Sequence, residues 1–209
     1  MRQKQTEPAS LDEFIWKYGK GLGSVDERSK DEEERWILSR TFENFYKLNK
    51  FAKTNVIQRD NPDFLLEIED FRLGVEVTEA IPPEAAEQRR KFARADAASG
   101  QPVARLSSEF YPCRGNHPYS VDEELASATA VVLERIQRKA ESAKNYEGFD
   151  ALWLIIYLNP FFAIPNPSLL SASLKASIKS GEVCSFDCII LRTDAKNLVL
   201  WGYSRPFSL

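Results

Sequence analysis

A single histidine, His117, stands in 209 residues, beside three cysteines, Cys113, Cys184 and Cys188. One imidazole excludes a metal cage built on histidine, and a Ser-His-Asp triad would have to rest on His117 alone. A loop histidine beside a proline is first of all surface structure. The cysteines are odd in number and lack zinc-like spacing; Cys184 and Cys188 flank a strand-like run as small hydrophobes. No apolar stretch approaches the roughly 18 residues needed to span a bilayer, and the N-terminus lacks a secretory apolar run. The expectation is a reduced, cytoplasmic protein with no membrane association. Internal repeats, low-complexity tracts and a Gly-rich phosphate loop are also missing.

The chain has no excess of positive charge either: its net charge is −3. That total does not mark a nucleic-acid binder, but the charge is unevenly spread. Arg89, Arg90, Lys91 and Arg94 form one basic stretch, and Arg135, Arg138, Lys139 and Lys144 another. Each reads either as an ordinary solvated helix face or as a surface for phosphate.

What is present is a core. Hydrophobic residues make up 43% and aromatics 11%, enough for one sizeable domain and no sign of two. Residues 1–29 are expected to be mobile or loosely docked, with Leu11, Phe14, Ile15 and Tyr18 forming a helical turn or two. Residues 30–209 form a single α/β domain with a long loop or insertion at 81–118, which holds five prolines and a short basic helix near 84–97. Ser29 caps a helix to about Lys50, with Ile37, Thr41, Phe45 and Leu48 on one face. Glu34 lies on that side, either as a solvated charge near the helix start or reaching toward other carboxylates. Ser120 and Glu123 form a capping box for a helix to about Asn145. Its buried stripe is Leu125, Thr129, Val132, Ile136, Ala140 and Ala143. Lys139 borders the stripe, where a lysine ordinarily packs its stem and keeps its amine in water; truncation there costs little packing. Asp150 to Leu158 is a continuous apolar run of strand length. A helix capped by Ser168 or Ser171 follows, with Leu169, Leu170, Leu174 and Ile178 inward. Phe186–Leu191 and Leu198–Tyr203 then pair as an antiparallel hairpin.

The stretch from Asn61 to Ala80 organises the rest. Phe64, Leu66 and Ile68, then Leu73, Val75 and Val77, alternate with period two and read as a hairpin, preceded by a lead-in strand at 55–58. Glu76 shares a face with Gly74 and Thr78, opposite the valines. The hairpin brings Asp63 and Glu76 side by side. Two adjacent carboxylates repel unless a cation lies between them, and oxygen ligands suit Mg²⁺ or Mn²⁺. The alternative is a pair of solvated acids at strand ends.

Pro62-Asp63, twelve intervening residues and Glu76-Val77-Thr78 resemble the motif of the PD-(D/E)xK nuclease superfamily, with Thr78 where that motif has lysine. With element order included, the resemblance spans roughly residues 31–205. It implies a restriction-endonuclease-like three-layer α/β/α sandwich with a mixed central sheet. It implies metal-dependent hydrolysis of phosphodiester bonds, with Asp63, Glu76 and the Val77 carbonyl holding Mg²⁺ (or Mn²⁺) and Glu34 completing the site. Lys139 would supply the cation absent at Thr78, whose hydroxyl would hold a ligand water. Nucleic acid is the implied partner, DNA ahead of RNA, with Arg89, Arg90 and Arg94 near its backbone; a homodimer stays open. A catalytically inactive relative serving as a binding or regulatory module is the second reading.

Overall fold

A computed structural model describes residues 6–20, 29–46, 53–87, 90–91, 120–159, 162, 164, 166–178, 185–194 and 196–202. Among these residues seven strands form one sheet in chain order: β1 (Ala9–Ser10), β2 (Thr54–Gln58), β3 (Phe64–Ile68), β4 (Phe71–Ala80), β5 (Ala151–Leu158), β6 (Cys188–Arg192) and β7 (Asn197–Gly202). β1 to β4 pair antiparallel, β4–β5 and β5–β6 pair parallel, and β6–β7 is antiparallel. The sheet is therefore mixed. Parallel neighbours need a crossover, and helices supply it.

Helices α1 (Leu11–Tyr18) and α2 (Lys30–Tyr46) cover one face, while α3 (Val121–Ala143) and α4 (Pro167–Ser177) cover the other. Side chains of β4 alternate between them. Leu73, Val75 and Val77 join Phe14, Ile37, Leu38 and Phe42 in the first core. On the second side, Val132, Ile136 and Ala140 of α3 pack on Leu154, Ile156 and Ala80. This is an α/β architecture with helices on both faces of a mixed sheet.

Local chemistry explains the helix starts. Ser29 and Glu32 exchange hydrogen bonds at the head of α2, and Ser120 and Glu123 do the same for α3. Such caps contribute about 1 kcal/mol each. Three details depart from the sequence expectation. The α2 core face includes Leu38 and Phe42 beside Ile37 and Thr41; the Phe45 and Leu48 side chains lie outside the described residues. The cap of α4 is Asn166, whose side chain accepts from Ser168 N–H with Pro167 at the first position, and Leu169 is 53% exposed rather than inward. In α3 the N-terminal half of the buried stripe runs through Glu124 and Ala128, one residue earlier than Leu125 and Thr129.

The N-terminal helix is also more than loosely docked. Leu11 and Phe14 are buried, and Phe14 sets its ring edge-on to Phe64 at 5.9 Å. Of the segment at 81–118, residues 83–87 are helical; Arg89, Arg94 and His117 lie outside the described residues, as do Cys113 and Cys184.

Candidate functional site

β3 stops short, and the site occupies the space it leaves. Phe64 pairs with Val75, so β4 continues past its partner through Glu76, Val77 and Thr78 while still pairing with β5. Asp63 precedes Phe64 and takes the vacated ladder position with its side chain: Oδ2 accepts the Val77 N–H at 2.8 Å. A strand residue's N–H and C=O point to the same edge. The Val77 carbonyl therefore faces the Asp63 side. Arg59 N–H in turn donates to Asp63 O at 2.9 Å, folding the approach to β3 into a closed turn.

Asp63 and Glu76 are each about 5% exposed or less. Lys139 reaches across from α3, and its Nζ donates to Glu76 Oε1. Glu76 is buried and Lys139 half-buried, their side chains 5% and 17% exposed. The stem of Lys139 borders the stripe as expected, and of the two expectations for its amine, water or the acids, the structure has the second. Truncating Lys139 would leave the Glu76 charge buried without its partner, which typically costs about 3–5 kcal/mol; the sequence expectation that truncation costs little is corrected accordingly. Tyr146, beyond the end of α3, donates its hydroxyl to Glu76 Oε2 at 3.0 Å. Burial first, then Glu76, pushes the Tyr146 phenol up, so it stays protonated and can donate.

Glu34 approaches from α2 and is buried. Lys30 Nζ lies 3.1 Å from Glu34 Oε1, yet that buried oxygen has no hydrogen-bond partner, so the contact is close but poorly aligned. Burial raises the Glu34 carboxyl, with Lys30 and Lys139 working against it. Burial likewise opposes the Lys30 charge, but Glu34, Asp63 and Glu76 together outweigh it and raise the ammonium. Asp63 carries the largest consequence. Burial, then Glu76, then Glu34 push its carboxyl up to about 7, against Lys139 and the Val77 N–H. Acids crowded in a dry place are short of positive charge.

The donor set is oxygen only: Asp63, Glu76 and the Val77 carbonyl, with the Glu34 carboxylate, ion-paired to Lys30, close enough to act on Asp63. Those are the donors hard divalent cations take. Among the described residues, no three His, Cys, Asp or Glu side chains are grouped closely enough to cage an ion. Glu34 is thus felt by the pair electrostatically without standing in one cage with it.

Thr78 sits two residues beyond Glu76 on the α3 face, half-buried. Arg90 is exposed, and its Nε donates to Ala86 O at 3.3 Å. Sequence reasoning missed Tyr146 and Lys30. Tyr146 continues the stripe three residues past Ala143, and Lys30 precedes Glu34 by one turn; both spacings were readable. Gly74 was also undervalued. A Cβ there would meet Leu152 Cδ2 at 2.6 Å and Phe149 Cδ1 and Pro62 Cγ at 3.0 Å, so any larger residue requires those side chains to shift.

Comparison with known proteins finds no family model, no curated protein and no solved structure that matches this chain. Among the described residues no helix is long and apolar enough to cross a membrane.

Proposed function

We propose that the chain is a divalent-metal-dependent hydrolase of phosphodiester bonds in nucleic acid. The observation that carries this reading is the Lys139 ammonium bonded to Glu76, beside an Asp63 whose carboxyl is electrostatically overloaded. Mg²⁺ or Mn²⁺, held by Asp63, Glu76 and the Val77 carbonyl, would activate a water and offset charge on the phosphate. Lys139 then supplies the positive donor that the motif lacks at Thr78. It stabilises the non-bridging oxygens, which gain charge in the transition state. Tyr146 and the Val77 N–H fix the two carboxylates so that neither rotates away.

One observation favours the second reading, an inactive relative that binds nucleic acid. Both Glu76 oxygens already accept hydrogen bonds, from Lys139 and Tyr146. A single paired experiment separates the two. Mn²⁺ titration by calorimetry and cleavage of labelled DNA and RNA are measured on the wild type and on Asp63→Ala. Binding and cleavage that both vanish in Asp63→Ala support the hydrolase. Nucleic-acid binding without cleavage or metal uptake leaves the inactive module.

A further inference from the structure

A cavity of about 540 Å³ opens beside the acidic pair, lined by Arg59, Asn61, Asn145, Tyr146 and Phe149, with Glu147 also contributing. Two bonds tie its wall to the site: Arg59 N–H to Asp63 O, and Tyr146 hydroxyl to Glu76. A second cavity, of about 350 Å³, lies beside Arg35 and Gln58 near α1; Asp63 and Glu76 line neither cavity, and the two bonds above are what join the first to them. Volume in the first is within the ordinary range for small-molecule sites, which runs from roughly 300 to 1,000 Å³.

The Arg59 guanidinium lies 5.3 Å from the centroid of the Phe149 ring, which holds it in place by cation–π attraction. Among the described residues no carboxylate pairs with it, so its planar donors are left for a ligand. Arg59 and Glu147 are the charged residues of the lining, one of each sign, so the walls carry no net charge, with the Arg72 guanidinium 5.8 Å from the same ring. Selection falls to geometry: a guanidinium fork suited to two oxygens of one phosphate, with the Asn61 and Asn145 amides beside it.

We propose that this cavity is a subsite for one nucleotide, in which Arg59 binds the phosphate adjacent to the scissile one. The proposal rests on the nucleic-acid reading above and adds what it leaves open, namely how the strand is held in register. With Arg59 joined through one backbone bond to Asp63, a phosphate on Arg59 fixes where its neighbour lies relative to the acids. Phosphate contacts of this kind position a strand without reading its sequence.

The test uses a nucleoside 3′,5′-bisphosphate, which carries two phosphates one nucleotide apart, titrated in Mn²⁺ by calorimetry against the full chain. Arg59→Gln should weaken binding about 10- to 100-fold, as expected for a lost hydrogen bond to a charged group. Arg59→Lys should recover part of it, and Asn61→Ala should weaken binding without touching the Phe149 stack. Melting temperatures of all variants are recorded alongside. Equal affinity in wild type and Arg59→Gln, or no bisphosphate binding by the wild type at millimolar concentration, overturns the subsite even if nucleic acid is cut. Arg59-dependent binding in a protein that cuts nothing keeps the subsite and removes the hydrolase.

Discussion

Asp63 completes a β-ladder with its side chain: Oδ2 accepts the Val77 N–H at 2.8 Å where the backbone of β3 has ended. The same carboxylate is thus a structural cap for β4 and the most perturbed acid of the cluster. Its two roles pull in opposite directions. The hydrogen bond favours the ionised form, while burial and Glu76 favour the protonated one.

The first prediction concerns pH. Because the Asp63 carboxyl is raised to about 7 from 3.8, the folded protein holds more protons than the unfolded chain between those values. Metal-free stability should therefore fall as pH rises from about 4 to about 7 and stay reduced above that. Asp63→Asn should flatten this slope and melt several degrees higher than the wild type at pH 8 in EDTA. Calorimetric scans at pH 5 and pH 8 decide it; an equal offset between the two proteins at both pH values would falsify the assignment.

A second prediction separates the structural from the chemical role of Lys139. Lys139→Met should lower the melting temperature, since Glu76 loses its buried partner, and should reduce cleavage by about 10²–10³. The double variant Glu76→Gln/Lys139→Met should regain stability and stay inactive. Were the double variant no more stable than Lys139→Met, the ion pair would not be what holds this corner together. Lys144→Ala, whose amine pairs with Glu141 at the surface, should leave both measurements nearly unchanged.

Gly74 supplies a third. Gly74→Val should destabilise the fold by about 1–3 kcal/mol, because Leu152, Phe149 and Pro62 already occupy the space above it. Urea denaturation with an unchanged m-value would measure the loss; a Gly74→Val protein as stable as wild type would mean that Phe149 and Pro62 move aside freely.

The last prediction tests the basic stretch after β4. Reversing Arg89, Arg90 and Arg94 to glutamate should weaken nucleic-acid binding and flatten its dependence on salt. If the slope against log salt concentration is unchanged, the strand runs elsewhere on the surface.

Much of the sheet was legible because it follows local rules. The Phe64–Ile68 and Phe71–Ala80 strands show clean period two, and the unbroken apolar run of β5 announces a strand covered on both faces. The Ser120–Glu123 capping box is written in four residues. What resisted reading was anything settled by neighbours distant in sequence. Lys139 at a stripe edge looks the same whether its amine meets water or Glu76, 63 positions away; only the resemblance pointed it at the acids, where the structure has it. Leu38 and Phe42 are buried because α2 has α1 on one side and the sheet below, and the sequence shows only one helix face at a time. Asn166 was overlooked as a cap because serines two and five residues later offered the same chemistry.

Strand order equal to chain order has a consequence for how the protein is made. As the chain leaves the ribosome, β1 to β4 can pair in sequence, each with the strand before it, and N-terminal units generally fold first during synthesis. Asp63 and Glu76 are then side by side while α3 is still unmade. The nascent hairpin holds two crowded acids with no ammonium from Lys139 and no phenol from Tyr146. Arrival of α3 brings Lys139 on the helix and Tyr146 just past its end, so the corner is completed late. Conditions that keep the acids protonated, or supply a cation early, should favour the interval before it.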